Sequence, residues 1–268
     1  MKNLLGKTLL IALSAWAATG SSWAVPVTFT GNKVFGGDIG ALQAYARFEV
    51  VGNNLKVTLR NTLALDADRP AQILTGIYFD IEGGPTLSTL SANLLPGSTT
   101  PYYSGGLCTG GGGDVGCEWA YLGAPSSLPG VSQRYGISSS GLGIFGPHHR
   151  FDTTSDLVKP AEPDGLQFGI LPSGWVPAGD NGGVKGTGGL IKDGVVFLLS
   201  GLPTFFDPLA SISNVRFQYG TALAEPSIYG GDVEGSGDVT AIVPEPSSAL
   251  LLGAGLVFAA WAHRRRRR

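Results

Sequence analysis

Ala44-Tyr-Ala-Arg-Phe-Glu-Val-Val51, Gly52-Asn53-Asn54 and Leu55-Lys-Val-Thr-Leu-Arg-Asn-Thr62 form the stretch that decides the fold class. Apolar and polar residues alternate in its second arm, a period of two that is typical of a strand with one buried face. Two such arms around a turn rich in Gly and Asn indicate a β-hairpin. The stretch therefore predicts antiparallel β-structure in which one face of the sheet is buried and the other is wet.

Segments of similar character lie on both sides of this hairpin. The chain contains 42 glycines and 17 prolines, which fall mostly between these segments and indicate turns rather than disorder. No part of the region shows sustained helical periodicity. We therefore predict a single all-β domain over residues 25–229, a β-sandwich of jelly-roll-like type, with a barrel as the alternative. The further predicted strands are 25–30, 73–81 (a central strand), 86–94, 118–122, 134–139, 165–171, 194–199 and 212–220.

Residues 1–24 have the composition of a secretory signal peptide. Lys2 and Lys7 precede an apolar run over 9–18, and Ser22-Trp23-Ala24 ends with small residues at the two positions that a signal peptidase reads. Cleavage after Ala24 is expected, with a retained N-terminal anchor as the alternative. The rest of the chain would then cross the inner membrane.

The C-terminus combines three signals in a row. Pro244-Glu245-Pro246 is followed by an uncharged, apolar run over 247–262 and then by a basic tail over 263–268. The run is near the lower limit of about 17 residues for a membrane-spanning helix. Burial of the arginine cluster in a core would be costly, whereas the cytoplasmic face of a membrane attracts it. The sequence predicts a transmembrane helix held by a basic stop, which consists of Arg264, Arg265, Arg266, Arg267 and Arg268.

This combination resembles the PEP-CTERM sorting signal of Gram-negative bacteria. The resemblance covers residues 244–268 and implies that an exosortase-like membrane protease recognises Pro244, Glu245 and Pro246 and removes the helix. It implies a precursor held transiently in the inner membrane with its ectodomain in the periplasm. The mature form would lie at the cell surface or outside the cell, in association with exopolysaccharide or biofilm. Both prolines keep the segment extended, which suits recognition by a protease.

The charge distribution restricts the partners of the exported part. Two of the 18 Lys and Arg residues lie within 1–24 and five lie in the tail, whereas all 20 Asp and Glu residues lie between these segments. The exported part therefore has a net charge of about −9, which argues against nucleic acid and against anionic lipid as partners. Residues 230–243 are rich in glycine and acidic side chains and are predicted to form a solvated linker.

Cys108 and Cys117 are the two cysteines of the chain and flank a glycine-rich segment. In an exported protein, two cysteines this close predict a disulfide. A redox or metal-binding pair is the alternative, but it requires a different spacing or further ligands. The glycines between them match G-x-G-x-x-G at Gly111, Gly113 and Gly116, which we interpret as chance because a dinucleotide site needs a βαβ unit.

Two groups of polar residues are candidate metal sites. His148 and His149 follow a turn-forming dipeptide, Gly146-Pro147, and lie near Asp152, so a loop could bring them to one ion; an exposed polar loop is the simpler interpretation. The acidic segments do not match the twelve-residue calcium loop and are simpler to explain as turns. We therefore predict no metal site and no cofactor, with calcium as the alternative at Asp66 and Asp68 or at Asp232, Glu234 and Asp238.

No catalytic residues can be assigned from the sequence. There is no G-x-S-x-G motif, and nothing marks a triad around the adjacent histidines. We therefore predict a non-enzymatic surface protein. A carbohydrate-binding module is the second hypothesis and a secreted hydrolase the third. The aromatic residues that could stack on a sugar, with the core or rim as the alternative location, are Tyr102, Tyr103, Trp119, Tyr121 and Trp175.

Overall fold

The chain forms a domain that is nearly all β-structure. The computed structural model describes residues 24–101, 108, 111–153, 163, 165–176, 184 and 189–231. These ranges contain one helical turn, α1 (Pro208–Ser211), and short 3₁₀ turns. The strands are β1 (Val27–Phe35), β2 (Gly40–Val51), β3 (Asn54–Asn61), β4 (Leu74–Ile81), β5 (Ser88–Leu94), β6 (Ala120–Gly123), β7 (Tyr135–Ser138), β8 (Ile170–Leu171), β9 (Ile191–Lys192), β10 (Gly194–Ser200), β11 (Ile212–Tyr219) and β12 (Ser227–Tyr229).

The strands form two sheets. Sheet A has the order β1-β2-β3-β10-β5, and sheet B has the order β12-β11-β4-β7-β6 with β8 and β9 attached to β4. Every strand pair is antiparallel except β8 with β9. One large apolar core contains buried side chains of both sheets, which confirms the predicted β-sandwich at the level of two packed layers. The strand order, which the sequence left open, places β10 between β3 and β5.

The hairpin that the sequence predicts is formed by β2 and β3. Ala44 pairs with Asn61 and Val51 with Asn54, so the turn consists of Gly52 and Asn53. Gly52 has a φ of 62°, a left-handed conformation that glycine adopts without a Cβ penalty. The apolar members of the alternation in β3 are fully buried, whereas the charged ones reach the surface, and this confirms the predicted two-faced strand.

β4 is buried on both faces, as its continuous apolar run predicts. Phe79 points to sheet A, where its ring lies 5.0 Å from that of Phe48 in β2. Tyr78 points to the other face, which a second apolar cluster with Leu128 and Phe145 covers. Loops therefore shield the outer face of sheet B, and β4 has no solvent-exposed face that would require polar residues.

The prediction for residues 165–171 is wrong for most of its length. Only β8, its last two residues, is a strand. Gly165 and Phe168 have φ values of 51° and 55°, which places them in a turn rather than in an extended segment. β9, β12 and α1 have no counterpart among the predicted elements, because two to four residues are too few to show a period.

The first strand begins at one end of the sandwich, which we call the terminal end, and the last strand runs towards that end. β1 begins there, since Val27 pairs with Phe48 near the β2–β3 turn. β12 runs back towards the same end, and the backbone N–H of Gly231 donates to the carbonyl of Thr30 in β1 at 2.8 Å. The loop between β10 and β11 also lies at this end. The chain therefore leaves the sandwich beside the strand with which it entered.

Candidate functional site

The residues predicted to direct sorting lie beyond the described part of the chain. This applies to Pro244, Glu245 and Pro246, to the predicted helix over 247–262 and to the basic tail over 263–268. The same is true of residues 1–23 of the predicted signal peptide and 232–243 of the predicted linker. Among the residues that the structure describes, no helix has the length and apolar character needed to span a bilayer.

The predicted disulfide between Cys108 and Cys117 is present, with a Cα–Cα distance of 5.7 Å. It holds a loop against β5, the outer strand of sheet A. The N–H of Leu94 donates to the carbonyl of Gly113 at 2.8 Å, and the N–H of Val115 donates to Ala92 at 2.9 Å. The loop thus satisfies backbone groups of a strand edge that would otherwise offer a template for pairing with another chain.

The glycines of this loop adopt the backbone conformations that its turns require. Gly111 and Gly113 have φ values of 66° and 94°, which favour glycine. The chain then continues through a turn into β6 rather than into a helix. This arrangement supports the interpretation of the G-x-G-x-x-G match as chance, because a helix N-terminus is the part of that motif that binds the pyrophosphate.

A groove of about 240 Å³ lies beside the disulfide loop. Asp114 lines it, but its carboxylate Oδ1 accepts the N–H of Gly116 at 2.8 Å and so stabilises the loop from within. Asp152 also lines the groove, and its N–H donates to the carbonyl of Gly116 at 2.8 Å. The remaining lining residues are Leu90, Ser91, Ala92, Asn93 and Phe151.

The adjacent histidines lie in a loop, as predicted, but do not converge on a shared ion. His148 and His149 belong to a 3₁₀ turn, and Nδ1 of His149 accepts the N–H of Gly146 at 3.1 Å. Asp152 lines the groove described above instead. Within the described ranges, no three His, Cys, Asp or Glu side chains are grouped so that they could hold a metal ion.

The first candidate calcium segment is a turn. Oδ1 of Asp66 accepts the N–H groups of Ala67 at 2.9 Å and Val176 at 3.1 Å, which ties two loops together. Asp68 lies 3.7 Å from the guanidinium of Arg69. These carboxylates have internal partners, and this supports the turn interpretation over calcium. The second segment, with Asp232, Glu234 and Asp238, lies outside the residues that the structure describes.

Three of the aromatic residues considered for sugar stacking lie in the core, the alternative location given for them above. Trp119, Tyr121 and Trp175 are all buried, and the indole of Trp119 packs 4.9 Å from the ring of Phe197. A ring enclosed in this way has no face free for a ligand. The sequence already indicated this burial, because residues 119 and 121 alternate with Ala120 next to a strand and therefore point to the same face. Tyr102 and Tyr103 lie outside the described residues.

A second cleft, of about 220 Å³, lies at the terminal end between the β4–β5 loop and the β6–β7 hairpin. The hydroxyl of Tyr135 donates to the carbonyl of Pro85 at 2.8 Å across its wall. The hydroxyl of Tyr121 is buried here without a hydrogen-bond partner among the described residues. Burial raises the pKa of Tyr121 far above that of a free tyrosine, so the group stays neutral and serves as packing surface.

Sequence reasoning missed a group of exposed apolar side chains at the terminal end, which we call the apolar tip: Val51, Phe205 and Leu209. Phe205 is 98% exposed and has a φ of 64°, a conformation that a bulky residue rarely adopts. Its loop is held to the β2–β3 turn, because the N–H of Leu202 donates to Asn53 at 3.1 Å. Two adjacent phenylalanines were the only signal in the sequence, and the neighbouring Phe206 is buried.

Comparison with known families identifies the C-terminal segment. Residues 243–267 match the model of the PEP-CTERM protein-sorting motif, which confirms the resemblance seen in the sequence. No curated protein and no solved structure matches the chain. The match covers the sorting signal alone, so the sandwich that precedes it is described by its own structure.

Proposed function

We propose that this PEP-CTERM protein is a non-enzymatic component of the cell surface or extracellular matrix. An exosortase-like protease would process it next to Pro244, Glu245 and Pro246, and the folded sandwich would then serve outside the inner membrane in association with exopolysaccharide or biofilm. The observation that carries this proposal is the family match at residues 243–267, because that motif marks an exported protein for exosortase sorting.

The described domain supports an extracytoplasmic role. Its cysteines are joined in a disulfide, a bond that persists in oxidising compartments and is rare in the cytosol. The disulfide loop covers the edge of β5, which protects a β-rich protein from edge-to-edge association outside the cell. The excess of acidic over basic residues keeps such a domain soluble.

The matrix role comes from the PEP-CTERM resemblance. The two other hypotheses, a carbohydrate-binding module and a secreted hydrolase, have no favouring observation in the described part of the chain. Trp119, Tyr121 and Trp175 are buried, and the carboxylates of Asp66 and Asp114 have internal hydrogen-bond partners. We therefore propose neither a cofactor nor a catalytic centre.

The test is intact mass and cell fractionation of the protein from its native host. The variant Pro244→Ala/Glu245→Ala/Pro246→Ala is compared with wild type. Wild type is expected to lack the predicted C-terminal helix and to leave the inner membrane, whereas the variant keeps its tail and stays there. Extraction of the exopolysaccharide then shows whether the processed protein is retained with the matrix.

A matched control is Gly235→Ala/Ser236→Ala/Gly237→Ala, three neighbouring substitutions in the predicted linker that leave the motif intact. It should be processed as wild type is. If wild type retains Arg268 and remains in the inner membrane, the tail is an ordinary anchor and the sorting proposal is wrong. If processing occurs but the protein is equally free in the medium with and without polysaccharide, the proposed association with the matrix is wrong and the sorting proposal stands.

A further inference from the structure

The last strand points towards the end of the sandwich that carries the apolar tip. β12 runs towards the terminal end, and the last described residue, Gly231, donates its N–H to Thr30, the fourth residue of β1. The β2–β3 turn and the β10–β11 loop, which carry the tip, lie at that same end. Residues 62–73, which carry the exposed Leu65, lie at the opposite end.

This position matters because Gly231 leads directly into the predicted membrane tether. Fifteen residues, 232–246, separate it from the segment predicted to enter the bilayer. Even fully extended, they reach only about 50 Å. The tether therefore keeps the domain within about 50 Å of the membrane surface, and a tether of this length raises the effective concentration of a weak contact to about the millimolar range.

The tip has the chemistry of an interfacial contact. Phe205 is 98% exposed, and Val51 and Leu209 are also exposed at this end. Phenylalanine and leucine side chains insert shallowly at the boundary between headgroups and acyl chains. The left-handed backbone of Phe205 directs its side chain outward, whereas the side chain of the neighbouring Phe206 is buried.

The charges near the tip do not favour an electrostatic mode of binding. Asp207 is exposed and caps α1, since its Oδ1 accepts the N–H of Leu209 at 3.0 Å. Glu82 is also exposed at this end, beside Ser211. The basic Lys56 of β3 is paired with Glu49 at 3.1 Å. An acidic rim of this kind does not attract anionic headgroups, so the contact would depend on apolar insertion.

From these observations we propose that the apolar tip inserts into the lipid interface of the membrane while the precursor is tethered. The terminal end of the sandwich then faces the membrane surface. This inference rests on the proposed function, in which the C-terminal segment anchors the precursor. Removal of that segment ends the contact, because the tip alone offers only a few apolar side chains.

The test uses the full chain carrying Pro244→Ala/Glu245→Ala/Pro246→Ala, which retains the tail, in phosphatidylcholine vesicles. Both native cysteines are paired in the disulfide, so Phe205→Cys provides a single free thiol for an environment-sensitive fluorophore. Leu65→Cys is the matched control, an apolar residue of 63% exposure at the opposite end. Leu209→Cys is a second probe of the tip in case the first alters the loop.

Nitroxide-labelled lipid is expected to reduce the fluorescence at position 205 about twofold or more while leaving position 65 unchanged, since quenching requires shallow insertion. Anionic lipid should not strengthen the effect. If the protein floats with the vesicles but positions 205 and 209 are quenched no more than position 65, the inference is wrong and anchoring stands. If the protein does not float with them, both proposals fail. Emission that shifts with protein concentration without lipid indicates a contact between copies and also overturns the inference.

Discussion

Removal of the disulfide gives the sharpest prediction for the stability of the domain. Cys108 and Cys117 are nine positions apart, so the bond closes a loop of about ten residues. In the chain-entropy model this closure contributes about 2.7 kcal/mol at 25 °C. The variant Cys108→Ser/Cys117→Ser should therefore lower the free energy of unfolding by about that amount. For a domain of this size, the loss corresponds to a decrease in Tm of roughly 5–11 °C.

The assay is urea unfolding of the exported domain, residues 25–231, followed by tryptophan fluorescence, since Trp119 and Trp175 are buried. Wild type treated with a reductant is the control, and it should lose the same free energy as the double variant. A loss below about 1 kcal/mol in both samples would refute the reasoning, because the loop would then be ordered without its cross-link. A loss in the variant alone would assign the effect to the serine side chains.

Three further predictions concern the core. Trp119→Ala removes a fully buried indole and should cost about 3–5 kcal/mol, measured by the same unfolding assay; a variant of unchanged stability would contradict the buried assignment. Asn61→Ala should cost about 2–4 kcal/mol, because its Nδ2 donates to two buried carbonyl groups at 3.0 Å each, whereas Asn53→Ala in the exposed turn should change little. Burial raises the pKa of Tyr78 and Tyr219 above the ordinary 10.0, so the unfolded state loses these protons first as the pH rises. Below about pH 10 these groups should therefore leave the free energy of unfolding unchanged. Above that pH, the free energy of unfolding should fall by about 1.4 kcal/mol per pH unit for each tyrosine. A urea midpoint that stays constant between about pH 9 and 11.5 would exclude this effect.

Local sequence patterns predicted the features that depend on local physics. The β2–β3 hairpin was predictable because its alternation and its Gly52 turn lie within one short stretch. The central position of β4 was predictable because its apolar run leaves no solvent-exposed face. The disulfide followed from two nearby cysteines in an exported chain.

Features that depend on distant parts of the chain were not predictable. β3 and β10 pair across more than a hundred residues, and no local signal selects that partner among several similar strands. The apolar tip depends on backbone conformation, since the left-handed Phe205 turns outward while its neighbour Phe206 turns into the core. Composition could not distinguish these two side chains.

The insertion of β10 between β3 and β5 has a consequence for the timing of export. β1, β2 and β3 are consecutive and can pair as soon as they have crossed the membrane. β5 can pair with its neighbour only after β10 has been translocated, and β4 can pair with β11 only after β11 has been translocated. Neither sheet is therefore complete until nearly the whole domain has crossed the membrane. Pairing between distant segments also folds slowly. A newly exported chain therefore passes through an interval in which β4 and β5 have no partner strand on these sides, and a chaperone or protease that recognises unpaired strands would act on this protein in that interval.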